Sequence, residues 1–194
     1  MTRIKRHALT WGLGILAGLI GAAISPADGQ IPPERQALLL MKTLSYDRKL
    51  KDRTGGDVVV AVVGPEGKAG GACGAVYSAV TETAQQMKVG GLSVRAVEIE
   101  YGDQAQFEKK LQGAKPAAIY VCEGLEKAAD SLVATARRLG TLSFTPVDSL
   151  VGKGLSVGLI LRDEKAVIRV NVKASRQEGA DLDPQLLRLA EIVE

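Results

Sequence analysis

Asp57-Val58-Val59-Val60-Ala61-Val62-Val63-Gly64 is the stretch on which the fold turns. Five of its eight residues are valine, and a short β-branched run without polar alternation fits a strand covered on both faces, as in a parallel sheet flanked by helices. Pro116 to Cys122 (PAAIYVC) repeats the pattern downstream, and Leu92 to Tyr101 alternates as a third strand. Helical spacing fills the intervals: Ala75 to Met87, Asp103 to Gln112 started by an Asp cap, and Leu125 to Leu139 stopped by Gly140. This succession predicts a parallel sheet whose right-handed crossovers lay helices on both faces.

Working outward, Pro32 to Arg53 is predicted as one helix, with Pro32 and Pro33 at its opening turn and Leu38, Met41, Leu44 and Tyr46 on its apolar face. The basic run Arg48, Lys49, Lys51 and Arg53 would form its solvated end, complementing the helix dipole, before Thr54-Gly55-Gly56 stops it. On the other side, Thr141 to Val147 is a further candidate strand. Leu155 to Leu161 and Ala166 to Val172, joined by Arg162-Asp163-Glu164-Lys165, predict an antiparallel appendage of hairpin form. Asp183 is expected to cap a last helix, Pro184 to Val193. The expected fold is α/β, a Rossmann-like or flavodoxin-like three-layer sandwich with a mostly parallel central sheet and a C-terminal β-hairpin plus helix. No internal repeat or linker divides residues 28–194, which are expected to form a single domain of ordinary size.

Residues 1–27 are expected to be a secretory signal peptide. Arg3, Lys5 and Arg6 precede an uncharged run from Ala8 to Ser25, and small residues around Ala27 and Gly29 suit cleavage. The competing reading is an uncleaved anchor, because the run approaches the length that spans a bilayer. Gly12, Gly14, Gly18, Gly21 and the following Pro26 weigh against it. The protein is accordingly expected outside the cytoplasm.

Loss of the leader changes the charge and the chemistry together. The chain carries 25 Lys/Arg against 22 Asp/Glu, and the leader holds three of the bases and no acid, so the remainder is neutral. A balanced surface lacks the clustered positive footprint of nucleic-acid binders, and no nucleic-acid partner is expected. The only histidine, His7, and the only tryptophan, Trp11, also lie in the leader. Residues 28–194 therefore lack the imidazole of a Ser-His or Cys-His nucleophile pair and of a His-containing zinc site. No catalytic residue, metal or cofactor is expected.

Three other features invite chemistry. The glycine-rich stretch from Gly64 to Gly74 occupies a strand-to-helix position where phosphate loops occur, but Gly67-Lys68 lacks the P-loop spelling and no G-x-G-x-x-G can be read. A flexible connector is the preferred reading. Glu98 and Glu100 share a strand face with Asp103 close behind, a carboxylate arrangement more in keeping with a solvated outer face. Ser143 and Ser149 have no histidine to activate them. Cys73 and Cys122 are the only cysteines; in a parallel sheet both fall near one edge, and a disulfide is favoured over two buried thiols.

The last third carries a resemblance. Gly152 through Ile160, with Gly154 and Gly158, is followed by Ile168-Arg169-Val170-Asn171-Val172, then by Leu182 and Leu186-Leu187-Arg188-Leu189-Ala190. In order and spacing this resembles the YfiR family of periplasmic proteins, whose pattern is a glycine-bearing strand, an Asn-bearing strand, a short linker and a final L-L-R-L-A helix. Val170 stands where the family favours phenylalanine, and the aromatic-Trp-Pro ending of its first helix is absent. Gly154, Gly158, Asn171, Leu186, Leu187 and Arg188 are the family-motif positions. The resemblance implies a periplasmic, non-enzymatic regulator, a homodimer, that binds and represses a membrane signalling protein, a diguanylate cyclase of cyclic-di-GMP signalling. The alternative kept beside it is a periplasmic small-ligand binding module at the glycine-rich sheet edge.

Overall fold

The computed structural model describes residues 30–67 and 70–193. The leader, Lys68 and Ala69 lie outside the described residues. Seven strands form one sheet: β1 Val58–Pro65, β2 Val94–Tyr101, β3 Ala118–Val121, β4 Leu142–Thr145, β5 Val157–Arg162, β6 Lys165–Asn171 and β7 Glu191–Val193. Their order is β2-β1-β3-β4-β5-β6-β7. The first five run parallel, β6 is antiparallel to β5, and β7 runs parallel to β6. The architecture is α/β, with the 2-1-3-4-5 start of doubly wound flavodoxin-like sheets.

The helices are α1 Pro33–Ser45, α2 Leu50–Arg53, α3 Gly71–Gln86, α4 Gln104–Ala114, α5 Ala129–Leu139, α6 Asp148–Gly152, α7 Val172–Gln177 and α8 Pro184–Leu189. The valine run explains why they divide between two faces. Val58, Val60 and Val62 point into one apolar cluster, shared with Leu40, Met41 and Leu44 of α1 and with Val76, Ala79 and Val80 of α3. Ala61 and Val63 point into the other, with Phe107 and Leu111 of α4 and Leu132 and Val133 of α5. Successive strand side chains alternate faces, so a strand that is apolar at every position needs helices above and below.

Five readings differ from expectation. The single helix expected over Pro32 to Arg53 breaks at Tyr46 and Asp47. The Asp47 side chain is buried and accepts from the backbone N–H groups of Lys49 (3.0 Å) and Asp181 (2.9 Å), an alternative to helical bonding that ends α1. The basic run is thereby not uniformly solvated: Arg53 pairs with Asp47 and is largely buried, while Arg48 stays at the surface and meets Asp181 at 2.8 Å. At the glycine-rich stretch, Gly64 and Pro65 belong to β1, and Gly71 to Gly74 open α3.

The hairpin is not an appendage, because β5 continues the sheet from β4. The helix expected to reach Val193 ends at Leu189. Ala190 turns extended, with φ −96° and ψ 153°, and the next three residues join the open edge of β6. Only Leu186 of that helix is buried, whereas Leu189 is 79% and Ile192 49% exposed. Unpaired main-chain groups on an edge strand offer hydrogen bonds that a further exposed helical turn does not repay in apolar burial.

Candidate functional site

Strand order reverses between β1 and β3: the chain leaves β1 toward β2 on one side and returns to β3 on the other. In open α/β sheets a crevice opens beyond the carboxyl ends of such strands. Here it measures about 230 Å³ and is lined by Pro65 at the end of β1, Tyr120 of β3 and Cys122 just after it, the opening turn of α3, and Gln30, Gln36 and Glu123. The glycine-rich stretch shapes it. Gly70 and Gly71, with φ of +92° and +57°, turn the chain into α3.

Cys73 in the first turn of α3 and Cys122 just after β3 are joined by a disulfide, with Cα atoms 5.8 Å apart. Gly64 makes room for it, since a Cβ there would lie 2.9 Å from the Cys73 sulfur. The bond therefore clips α3 to the carboxyl end of β3 and forms one wall of the crevice.

The crevice floor is polar and buried. The Tyr120 hydroxyl donates to Gln36 Oε1, and Gln36 Nε2 donates to the Ile31 carbonyl at 2.6 Å. Burial, and then the nearby Glu123 carboxylate, raises the pKa of Tyr120, so its hydroxyl stays a neutral donor. Gln36 keeps a second amide N–H and Tyr120 keeps oxygen lone pairs beyond these bonds. At the mouth, exposed Glu123 accepts from Gln30 Nε2. The arrangement is suited to holding a small molecule, with hydrogen-bonding groups at its base and Val76, Pro65, Pro146 and the disulfide at its sides.

A second polar site lies at the opposite end of the sheet. Glu178, which caps the end of α7, is 0% exposed. Its carboxyl group accepts from the Ser143 N–H (2.8 Å), the Ser143 hydroxyl (2.7 Å) and the Ser156 hydroxyl. Burial pushes its pKa up to about 7, against the opposing pull of these hydrogen bonds and of Arg137. Nearby, Arg53 donates to the carbonyls of Ala117 (3.0 Å) and Gly140 (2.9 Å) as well as to Asp47.

The residues singled out from the sequence separate into distinct places. None of the six family-motif residues lines the crevice. Gly154 adopts φ +113°, and Gly158 sits where a Cβ would lie 2.8 Å from Val151. Asn171 caps α7 by accepting from Ala174 N–H at 2.9 Å. Leu186 is core, Leu187 packs partly against it, and Arg188 is exposed. Glu98 is exposed and Asp103 caps α4. Among the described residues no group of three or more Cys, His, Asp or Glu side chains is placed to hold a metal ion. Sequence reasoning missed Gln36, Tyr120, Glu123 and Glu178; each stands in an ordinary local pattern, and only long-range contact gives it a role.

A family model described as YfiR/HmsC-like matches residues 34–191. No curated protein matches the chain. Solved structures show the same fold. A conserved domain protein from Vibrio cholerae O1 biovar eltor aligns with TM-score 0.60 and 16% identity, over 84% of this chain and 60% of that one. A Clostridium difficile substrate-binding protein with adhesive properties, in its ligand-free, open form, aligns with TM-score 0.56 and 12% identity, over 75% and 57%. A Streptococcus pneumonia ABC domain in complex with L-Trp aligns with TM-score 0.59 and 10% identity, over 84% and 60%. The chain thus spans at most 60% of the length of these structures.

Proposed function

The chain belongs to the YfiR/HmsC-like family, and from that membership we propose a periplasmic, non-enzymatic regulator that binds and represses the extracytoplasmic part of a membrane diguanylate cyclase. The observation that carries this reading is the extent of the family match, which runs from α1 into β7 and so takes in the sheet and nearly all its helices. The basic and apolar leader supports export, and the absence of histidine from residues 28–194 supports binding over catalysis. No helix among the described residues is long and apolar enough to cross a membrane. The regulator acts as a homodimer in this proposal.

Two measurements test it together. The tagged protein, cross-linked in intact cells and purified from membranes, is expected to bring down a diguanylate cyclase, and deletion of its gene is expected to raise intracellular cyclic-di-GMP. No cyclase in the cross-linked fraction together with unchanged nucleotide would sink the proposal.

The crevice favours a second reading, a periplasmic small-ligand binding module. It lies at the strand-order reversal where ligands bind in this class of sheet, and two of the chain's structural neighbours are described as a substrate-binding protein and as a domain in complex with L-Trp. A thermal-shift screen with small anions and metabolites separates the readings. Saturable stabilisation that Tyr120→Phe or Glu123→Gln weakens supports the ligand module, and indifference to the whole screen removes it.

A further inference from the structure

Hydrogen bonding between β4 and β5 begins at Phe144 opposite Val157. One residue earlier, Ser143 of β4 and Ser156 just before β5 do not pair as ladder residues. Instead Ser156 N–H donates to the Ser143 hydroxyl at 2.8 Å, and both hydroxyls turn to Glu178. The carboxyl group thus occupies the mouth of the β4–β5 ladder. It reaches there from the end of α7, the helix that follows β6 and begins the segment running through α8 to β7.

We propose that Glu178 is a proton-operated clasp, which in its neutral form holds the α7–α8–β7 segment against the amino ends of β4 and β5 and on ionisation loosens it. The carboxyl group is wholly buried, and no cation forms an ion pair with it among the described residues. The charged groups around it are committed elsewhere or stand off. From α5, Arg137 acts on it only at a distance. From α2, Arg53, whose side chain approaches Gly179, is held by Asp47 and two carbonyls. From β6, Arg169 pairs with Asp148 and Glu191. On its own segment, Arg176 is exposed and Asp181 pairs with Arg48. Ser143 of β4 and Ser156 at the entry to β5 offer it two hydroxyls and a backbone N–H, which stabilise the ion without neutralising it.

Burial places the titration near pH 7 instead of the ordinary carboxylate range, so the clasp works across mildly acidic to neutral conditions. Carbon-13 NMR of the glutamate side chains, with Glu178→Gln used to assign the resonance, is expected to give a midpoint near 7. A midpoint below 5 overturns the proposal. Hydrogen exchange corrected for intrinsic rate is expected to show residues 172–183 better protected at pH 5.5 than at pH 8, by several-fold. In Glu178→Gln, whose amide cannot ionise, the two protections are expected to agree; an undiminished pH dependence in that variant overturns the proposal. Ser156→Ala keeps the carboxyl group and removes one bond to its ionised form, so its midpoint is expected to move upward. A midpoint that stays put or falls argues against the clasp.

Discussion

The two ends of the sheet treat carboxyl groups in opposite ways. At the carboxyl ends of β1 and β3, Glu123 faces solvent, and the crevice walls are held by a covalent bond between Cys73 and Cys122. At the amino ends of β3, β4 and β5, the Asp47 and Glu178 carboxyl groups are withdrawn from water, and every oxygen accepts at least one hydrogen bond from neighbouring chain. A disulfide can clip two elements without filling the space between them, whereas a buried carboxylate must be surrounded by donors. The open end is therefore free to receive a ligand or a partner side chain. The closed end ties the C-terminal segment to the sheet.

Breaking the closed end is expected to cost most. Asp47→Ala leaves Arg53 largely buried without its counter-ion and frees the N–H groups of Lys49 and Asp181. Urea unfolding is expected to show a loss of about 3–5 kcal/mol. A loss under about 1 kcal/mol would mean that the Ala117 and Gly140 carbonyls alone suffice to hold Arg53.

At the open end, replacing both Cys73 and Cys122 by alanine opens a covalent loop spanning 49 residues of sequence separation. The chain-entropy model gives a loss of about 4 kcal/mol, read as a lower denaturation midpoint. If the crevice binds a small molecule, the same change is expected to abolish saturable thermal stabilisation even under conditions where the variant remains folded.

The pH response sharpens the contrast, because burial moves the titration of Glu178 at the closed end up toward neutrality. Glu178 ionises near pH 4.5 when unfolded but near 7 when folded, so between those values the folded chain holds one more proton. Its contribution is then greatest below pH 4.5, falls as pH rises toward 7, and levels off above. The full span is worth about 3 kcal/mol. Asp181 and Glu108 are both lowered and act in the opposite direction, losing stability as acid protonates them. The difference in stability between wild type and Glu178→Gln, measured at pH 5 and pH 8, isolates the Glu178 part. An equal difference at both values would contradict it.

The smallest effect probes the same segment from its other end. Asn171→Ala removes the side chain that caps α7, and an expected loss of about 1 kcal/mol should appear in chemical denaturation. Because Asn171 lies outside the crevice, any ligand response is expected to survive the change.

The legible parts of this protein were those in which neighbours along the chain settle the matter. The run Asp57 to Gly64 announced a strand buried on both faces, and the spacing of Ala75 to Met87 and Leu125 to Leu139 placed helices where α3 and α5 stand. The motif from Gly152 to Ala190 pointed to the family that the match over 34–191 shows. The break of the first helix at Asp47 was hidden, because its cause is Asp181, far along the chain. The turn from α8 into β7 was hidden too, because the apolar spacing of Leu186, Leu189 and Ile192 suits a helix until an open strand edge is set beside it.

Sequence alone determined the α/β alternation, the confinement of the sole histidine to the first 27 residues and the pairing choice open to two cysteines, since each follows from composition or short-range periodicity. Tertiary structure alone decided that Gln36 meets Tyr120 in the crevice and that Glu178 meets Ser143 and Ser156. Hydrogen bonds between residues 84, 35 and 22 positions apart leave no local trace, and a glutamate before a glycine has the same spelling in a solvated turn as in a buried clasp.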